Sequence, residues 1–381
     1  MDRWHGKTYR YGREAGDQNV YKTGRMGSMD VVLLRLANMG GTSAAISATN
    51  LSSSFPNLRR VFVTGICAGI PFRANGQEIL LGDVIISKSI IAPYENGRLY
   101  KNRIEMRQGI ADQPGRPPRG IRNLVETLDS RTCSFDLEKQ AADFLQRLQE
   151  RATKRGQGRE YTYPGTANDK LFQADYLHKH SMLTASSSTC TECQENPEEA
   201  CHRSQGMRCE ELGCSDSHLV RRHRLQAKES LGDKRAQAPA LHFGCVASCN
   251  NVVKSGIERD RLAKDHGIVA IEMEAIGICD VLPCIVVKGV ADYADSHKNK
   301  SWRNFSAAAA ASVTKAILVQ YAKQTTCADD VDIGRQRELV EQSGGESNVA
   351  KIAGIRTTAK IFVIGSLCCR GRIIIAATRD C

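Results

Sequence analysis

The sequence predicts an α/β protein, a sheet covered by helices. Three observations lead there. Residues 268–271 (I-V-A-I) and 284–290 (C-I-V-V-K-G-V) are apolar runs, the second broken only by Lys288 and Gly289. Continuous runs of this length suit strands buried on both faces, as in a parallel α/β sheet. Each run ends in acids, Glu272 and Glu274 after the first and Asp292 and Asp295 after the second. An earlier apolar run, 31–37, passes through Gly40-Gly41 into a helical stretch reaching about Ser53, which is a strand–turn–helix unit.

The remaining elements follow in order. Residues 1–19 are polar and read as loop, and 19–25 as a short strand. Arg60 to Ile66 is a strand running into Cys67-Ala68-Gly69-Ile70-Pro71, and Leu81 to Ile91 is another. After Lys101 the composition turns polar, basic and Pro/Gly-punctuated. Within that region Leu137, Ala141, Phe144, Leu145 and Leu148 make one apolar stripe, so Phe135 to Arg155 is expected to be a helix. Leu241 to Ser248 re-enters the sheet, and Arg259 to His266 is helical. A short helix separates the two apolar runs, and an alanine-rich helix from Trp302 to Tyr321 closes the domain. The tail from Thr325 is first polar, then apolar, with two candidate β segments at Lys360–Ser366 and Arg372–Ala377.

Composition narrows the function. The 381 residues, 41% hydrophobic, suffice for one large domain or two modest ones. The net charge of +11 is spread along the chain without an interleaved aromatic platform, so no nucleic-acid partner is expected. A basic balance does suit a phosphorylated substrate. Met1 to Asn19 is too polar for a signal peptide, and the best membrane candidate, Ile361 to Thr378, contains Arg370 and Arg372. The expectation is a cytoplasmic protein without a membrane partner, whose 15 cysteines are mostly thiols or metal ligands.

Ligands of open α/β sheets bind outside the carboxyl ends of the strands. Two neighbouring strands ending at 272–274 and 292–295 would bring carboxylates to one crevice. That suits cleavage of an N-glycosidic bond, where a carboxylate grips ribose hydroxyls and a second acid protonates the leaving base. A plainer reading stays open: Glu272 and Glu274 in a helix first turn, with Asp295 or Ser296 as a cap. Gly40, Gly41 and Thr42 form a natural anion loop, or simply a capped glycine turn. Between 163 and 239, Cys190-x-x-Cys193, Cys201-His202, Cys209 and Cys214 follow His178 and His180. Cys190, Cys193, Cys209 and Cys214 are the candidate ligands of a structural zinc; unligated thiols and redox disulfides are the alternatives.

The E-M-E-A segment at 272–275 and the K-G-V-A-D-Y-A-D-S-H-K-N-K-S-W segment at 288–302 resemble the nucleoside phosphorylase/nucleosidase superfamily. That family includes purine nucleoside phosphorylase, uridine phosphorylase and methylthioadenosine/S-adenosylhomocysteine nucleosidase. The second segment is similar to the fungal branch, in which the domain often heads larger immune-receptor-like proteins. The resemblance covers most of residues 8–323. It implies a three-layer phosphorylase-like fold with a central mixed sheet flanked by helices, an insertion at about 101–240, and an appended tail at 324–381. It implies that Met273 and Glu274 hold the ribose beside Glu272 and that Asp292 protonates the purine at N7. Cys67, Ala68 and Gly69 would then approach base and ribose, and Val252 would lie against the base unless it is a core residue. No cofactor is implied. The implied partners are a purine nucleoside or nucleotide, phosphate, and further copies of the chain.

Departures from the family qualify the activity. Val63 and Ile66 stand where purine-type phosphorylases carry an arginine and a serine or threonine that hold phosphate. Hydrolysis or an inactive site is therefore favoured over phosphorolysis. Cys249 and Asn250 replace a usual Gly-Asp pair. The family's first strand and helix, which carry the glutamate that activates water, have no counterpart before Asn19. The chain is thus expected to be truncated relative to its family, with an exposed or rearranged sheet edge. Glu14 is a nearby acid that nothing in the sequence places in the site.

Overall fold

The computed structural model describes residues 3–4, 13–26, 29–56, 58–94, 97–100, 103–106, 116–180, 190–195, 201, 203–320 and 360–365. The elements, in chain order, begin with β1 (Arg3–Trp4), β2 (Tyr21–Met26), β3 (Met29–Arg35), α1 (Gly41–Ser54), β4 (Leu58–Gly69) and β5 (Val84–Ile91). A small hairpin follows, β6 (Gly97–Tyr100) and β7 (Arg103–Met106). The region after it carries α2 (Arg119–Leu128), α3 (Arg131–Lys154) and the short α4 (Thr191–Glu195), α5 (Cys209–Leu212), α6 (His223–Glu229) and α7 (Asp233–Ala236). Then come β8 (Leu241–Ser248), α8 (Gly256–His266), β9 (Ile268–Glu272), α9 (Ala275–Cys279) and β10 (Cys284–Asp292). The helix α10 spans 303–320, and β11 (Lys360–Gly365) is the last described element.

The fold is mixed α/β, with a central mixed sheet between helical layers. Strand order is β1-β2-β3-β11-β4-β10-β5-β8-β9, with β9 also pairing β4. The ring β4-β10-β5-β8-β9 therefore closes on itself, while β1 to β3 and β11 extend as an open wing. Pairings of β10 with β4 and of β8 with β5 and β9 are parallel; β10 with β5 and β4 with β9 are antiparallel.

Period-two alternation explains why these runs are apolar throughout. Phe62, Ile285 and Val287 pack in one cluster with Ile121 and Val125 of α2, Leu137, Ala141 and Leu145 of α3, and residues of α10. Their neighbours Val61, Val63 and Val286 face the other way, against Ala44, Ala48 and Leu51 of α1 and Ile278 of α9. Leu262 of α8 covers Ile268 and Ile271 of β9. The stripe that predicts a helix at 135–155 is the buried face of α3, with Phe144 and Leu148 at its margin. Gly289 lets α10 approach closely, because a Cβ there would meet the Ser306 carbonyl oxygen at 1.9 Å.

Two expectations are revised. The acid-bearing strands are not neighbours: β10 lies between β4 and β5, and β9 between β8 and β4. Closure of the ring through the 12-residue β4 brings them together instead. Of the exposed or rearranged sheet edge expected, it is rearrangement that occurs: β11 lies between β3 and β4, parallel to both, from Lys360↔Asp30 and Ile361↔Arg60 onward. The candidate segment Arg372–Ala377 lies outside the described residues. No helix among the described residues is long and apolar enough to cross a membrane.

Buried charge joins the 101–240 region to the sheet. Asp83, fully buried at the head of β5, accepts from the Leu80 amide at 2.9 Å, Arg224 Nη2 at 2.9 Å and His242 Nε2 at 3.0 Å. Burial alone would raise its pKa; Arg224 and Lys228 outweigh that and hold the carboxyl well below the usual range.

Candidate functional site

The carboxyl ends of β4, β9 and β10 converge. Within β4, Ala68 pairs Ile271 of β9 on one side and Asp292 of β10 on the other. Cys67 pairs Val290, and Gly69 pairs Ala270. The nominated residues Cys67, Ala68, Gly69, Glu272, Glu274 and Asp292 thus share one end of the ring.

The two glutamates do different things. Glu272 accepts from the Glu274 amide at 3.1 Å and the Ala275 amide at 2.9 Å, so it caps α9. The plain first-turn reading of Glu272 and Glu274 is not what the structure shows, since both precede the first turn of α9. Glu274 instead receives Lys288 Nζ at 2.7 Å, and Lys288 also reaches Glu272 at 3.0 Å. Lys288 is fully buried in β10. Burial opposes its charge, and Glu274 and Glu272 outweigh it, so its pKa rises above the usual lysine value. Met273 between the glutamates is half-buried.

Asp292 is buried; its Oδ1 accepts from the Ala294 amide at 3.0 Å and its Oδ2 pairs with Lys298 Nζ at 3.0 Å. The turn after it is locked from the insertion and from α8. Tyr293 donates its hydroxyl to Asp169 Oδ1 at 2.8 Å, Arg222 donates to the Tyr293 oxygen at 2.6 Å, and Arg259 donates to the Tyr293 carbonyl at 3.0 Å. Ala294 takes a positive φ of 55° at this bend. Burial raises the Asp295 carboxyl above its usual range. Burial likewise pushes the Cys67 thiol up, against the nearby Lys288.

The other nominated residues are placed as follows. Gly40, with φ 100°, precedes the first turn of α1, and the Gly41 amide donates to Asn250 Oδ1 at 2.9 Å. That N–H of the anion loop is taken by a side chain; Thr42 is exposed. Val252 is 47% exposed, so it is not a core residue. Glu14 is exposed, and its amide donates to Ser54 Oγ at the far end of α1 from Gly41. A cavity of about 800 Å³ between Phe72, Phe172, Arg259 and Ile268 contains none of the nominated residues.

The four nominated thiols do not form one set. Cys190 and Cys193 gather with His180 and Cys201, whereas Cys209 and Cys214 gather with His178 and His297. Cys279 and Cys284 form a disulfide between α9 and β10, and nine other described cysteines are in no disulfide. Sequence reasoning overlooked Lys288, Lys298 and Arg222 as partners of the site and His297 as a member of a cluster. Lys288 was visible as the one charge in an apolar run and Lys298 lies close after Asp292 in the chain, whereas Arg222 and His297 lie too far from their partners to be paired by spacing.

No family model matches the chain. A nucleotide-binding leucine-rich repeat (NLR)-like protein of Hyaloscypha variabilis is 26% identical over 321 residues, which is 84% of this chain and 27% of that protein. The chain therefore spans about a quarter of the length of this curated relative. Among solved structures, a 5′-methylthioadenosine/S-adenosylhomocysteine nucleosidase from Helicobacter pylori gives a TM-score of 0.44 at 11% identity, covering 81% of this chain and 88% of that one. The futalosine hydrolase of Helicobacter pylori gives 0.43 at 12% identity over the same shares. A nucleosidase from Neisseria meningitidis gives 0.43 at 13%, again covering 81% and 88%. Likeness of this degree says nothing of which residues act, or on what.

Proposed function

We propose that this chain is a nucleosidase-like domain that takes a purine nucleoside at the convergence of β4, β9 and β10 and cleaves its N-glycosidic bond. The observation that carries the reading is that Ala68 of β4 pairs Asp292 of β10 on one side and Ile271 of β9, which runs on to Glu274, on the other. Met273 and Glu274 hold the ribose hydroxyls, and Glu272 fixes their turn by capping α9. Asp292 delivers a proton to purine N7 as the C1′–N9 bond breaks and its electron pair passes to the base. Water adds to C1′ and releases a proton to solvent, giving free base and ribose. Positive charge building on the ribosyl group is countered by Glu274. The reaction needs no cofactor, and the cysteine–histidine clusters are structural.

Water, rather than phosphate, is the nucleophile in this reading. Val63 is fully buried against the α1 side of the sheet, and the Gly41 amide is already bonded to Asn250. The test is release of free base from adenosine, methylthioadenosine, S-adenosylhomocysteine and ATP, each with and without phosphate. Equal release with and without phosphate is expected. Release that requires phosphate would overturn hydrolysis; no release from any of the four by folded protein would overturn catalysis.

A second reading is nucleoside binding without turnover, in the setting of an immune-receptor-like protein. It is favoured by the ion pairs of both key carboxylates, Glu274 with Lys288 and Asp292 with Lys298. Each carboxylate is thereby engaged by a lysine of the chain itself. The NLR-like relative, of which this chain matches a quarter, fits the same setting. Assembly into oligomers belongs to either reading and rests on the resemblance alone.

A further inference from the structure

Two cysteine–histidine clusters lie outside the carboxylate site. In the first, Cys193 Sγ lies 3.5 Å and Cys201 Sγ 3.7 Å from His180 Nδ1, and Cys190 Sγ lies 3.6 Å from Cys201 Sγ. In the second, Cys209 Sγ is 3.7 Å from His178 Nδ1 and 3.6 Å from His297 Nδ1, and Cys214 Sγ is 3.6 Å from His178 Nδ1. Within each group all four donor atoms lie within 4.8 Å of one another.

These spacings match one metal in particular. Zinc about 2.3 Å from sulfur and about 2.0–2.1 Å from nitrogen, in a tetrahedron, sets sulfur–sulfur pairs about 3.8 Å apart and sulfur–nitrogen pairs about 3.6 Å apart. A disulfide would need about 2.05 Å between sulfurs, far below the Cys190–Cys201 separation. Four S/N donors without a carboxylate select zinc over the harder cations.

The histidine tautomers point the same way. His178 Nε2 lies 3.1 Å from the Met207 carbonyl oxygen, and His297 Nε2 lies 3.0 Å from that of Tyr176. A carbonyl oxygen only accepts, so in both rings Nε2 carries the proton and Nδ1 turns its lone pair to the thiols. A ligating histidine almost always has such an outer hydrogen bond. Phe172 stacks on the His297 ring with centroids 4.0 Å apart, fixing its plane.

The region also needs such staples. Its helices α4 to α7 are 5, 4, 7 and 4 residues long. Isolated helices that short are unstable in water, because nucleation is unfavourable and few bonds follow.

We propose that this chain holds two structural zinc ions, one on His180, Cys190, Cys193 and Cys201 and one on His178, Cys209, Cys214 and His297. The first closes the insertion on itself. The second reaches outside it, because His297 follows β10 by five residues and Asp295 accepts from the His297 amide at 3.0 Å. The second ion thereby pins the turn 292–297 to the insertion. His178 and His180 feed different ions two residues apart, so the sites share a rigid bridge. The inference stands independently of the catalytic reading.

The test is the zinc content of the full chain, purified without chelator and reduced, by inductively coupled plasma mass spectrometry. Two zinc per chain are expected. Cys193→Ser and Cys209→Ser should each lower this to one, and Cys133→Ser, outside both clusters, should leave two. Hydrogen exchange should quicken across 293–298 in Cys209→Ser and not in Cys193→Ser. If a ligand variant fails to fold, the unaltered chain loaded with cobalt in place of zinc should show the intense visible bands of tetrahedral thiolate-bound cobalt at two equivalents. Fewer than two zinc in folded, zinc-supplied protein, or cobalt bands saturating at one equivalent, would overturn the proposal. So would faster exchange across 293–298 in both variants alike.

Discussion

Asp292→Asn is expected to lower purine-base release by about 10²–10⁴-fold, the usual contribution of a positioned general acid. The amide keeps the shape of the carboxyl, and its oxygen can still accept from the Ala294 amide, now 3.0 Å from Oδ1. What it loses is the proton it would give to N7 and the ion pair with Lys298. Lys298→Met separates the two losses. It breaks the same pair but leaves the acid, so it should retain most of the activity if proton delivery is what matters. Single-turnover base release, measured alongside nucleoside binding, reads the split. Unchanged release in Asp292→Asn would remove Asp292 from the chemistry.

Lys288→Met is expected to destabilise the fold by about 3–5 kcal/mol, seen as a fall in the urea midpoint. Lys288 is fully buried between Glu274 and Glu272, and removing it leaves two carboxylates facing each other out of water. Adding Glu274→Gln to Lys288→Met should recover part of the loss, because Glu272 keeps its amide donors on α9. The pH dependence has a definite sign. The folded-state pKa of Lys288 is raised, so its contribution is fully present below the ordinary lysine value of about 10.4 and is lost as pH rises through the raised one. The gap between the unaltered protein and Lys288→Met should therefore narrow on the strongly alkaline side. A gap that is small at neutral pH would mean that water reaches the glutamates.

Much of this fold is legible in the sequence because both faces of the sheet are covered. A strand such as 284–290 then reads as an apolar run broken only by Lys288 and Gly289, and the stripe on α3 reads as a helix by spacing alone. Pairing order is not legible, since any buried strand can lie beside any other. Closure of the ring by β4 and insertion of β11 between β3 and β4 are facts of tertiary structure. The site was half legible for the same reason. The acids announce themselves at strand ends, but the lysine that binds Glu274 sits 14 residues on, and Arg222 reaches Tyr293 across 71 residues. The clusters are clearer still as a case. Cysteine spacing flagged 190–214, yet the fourth member of the second set, His297, lies 88 residues beyond Cys209 in a segment read for its acids.

The central claim, common to turnover and to binding alone, is that a purine nucleoside sits between Glu274 and Asp292. Its most direct test is calorimetric titration with a purine C-nucleoside, whose C1′–carbon bond cannot be hydrolysed. One site per chain is predicted, with no binding of the pyrimidine counterpart. Glu274→Gln should weaken it about 10- to 100-fold, the worth of a hydrogen bond to a charged group. Failure of the folded, metal-replete chain to bind, or equal binding by Glu274→Gln, would contradict the account.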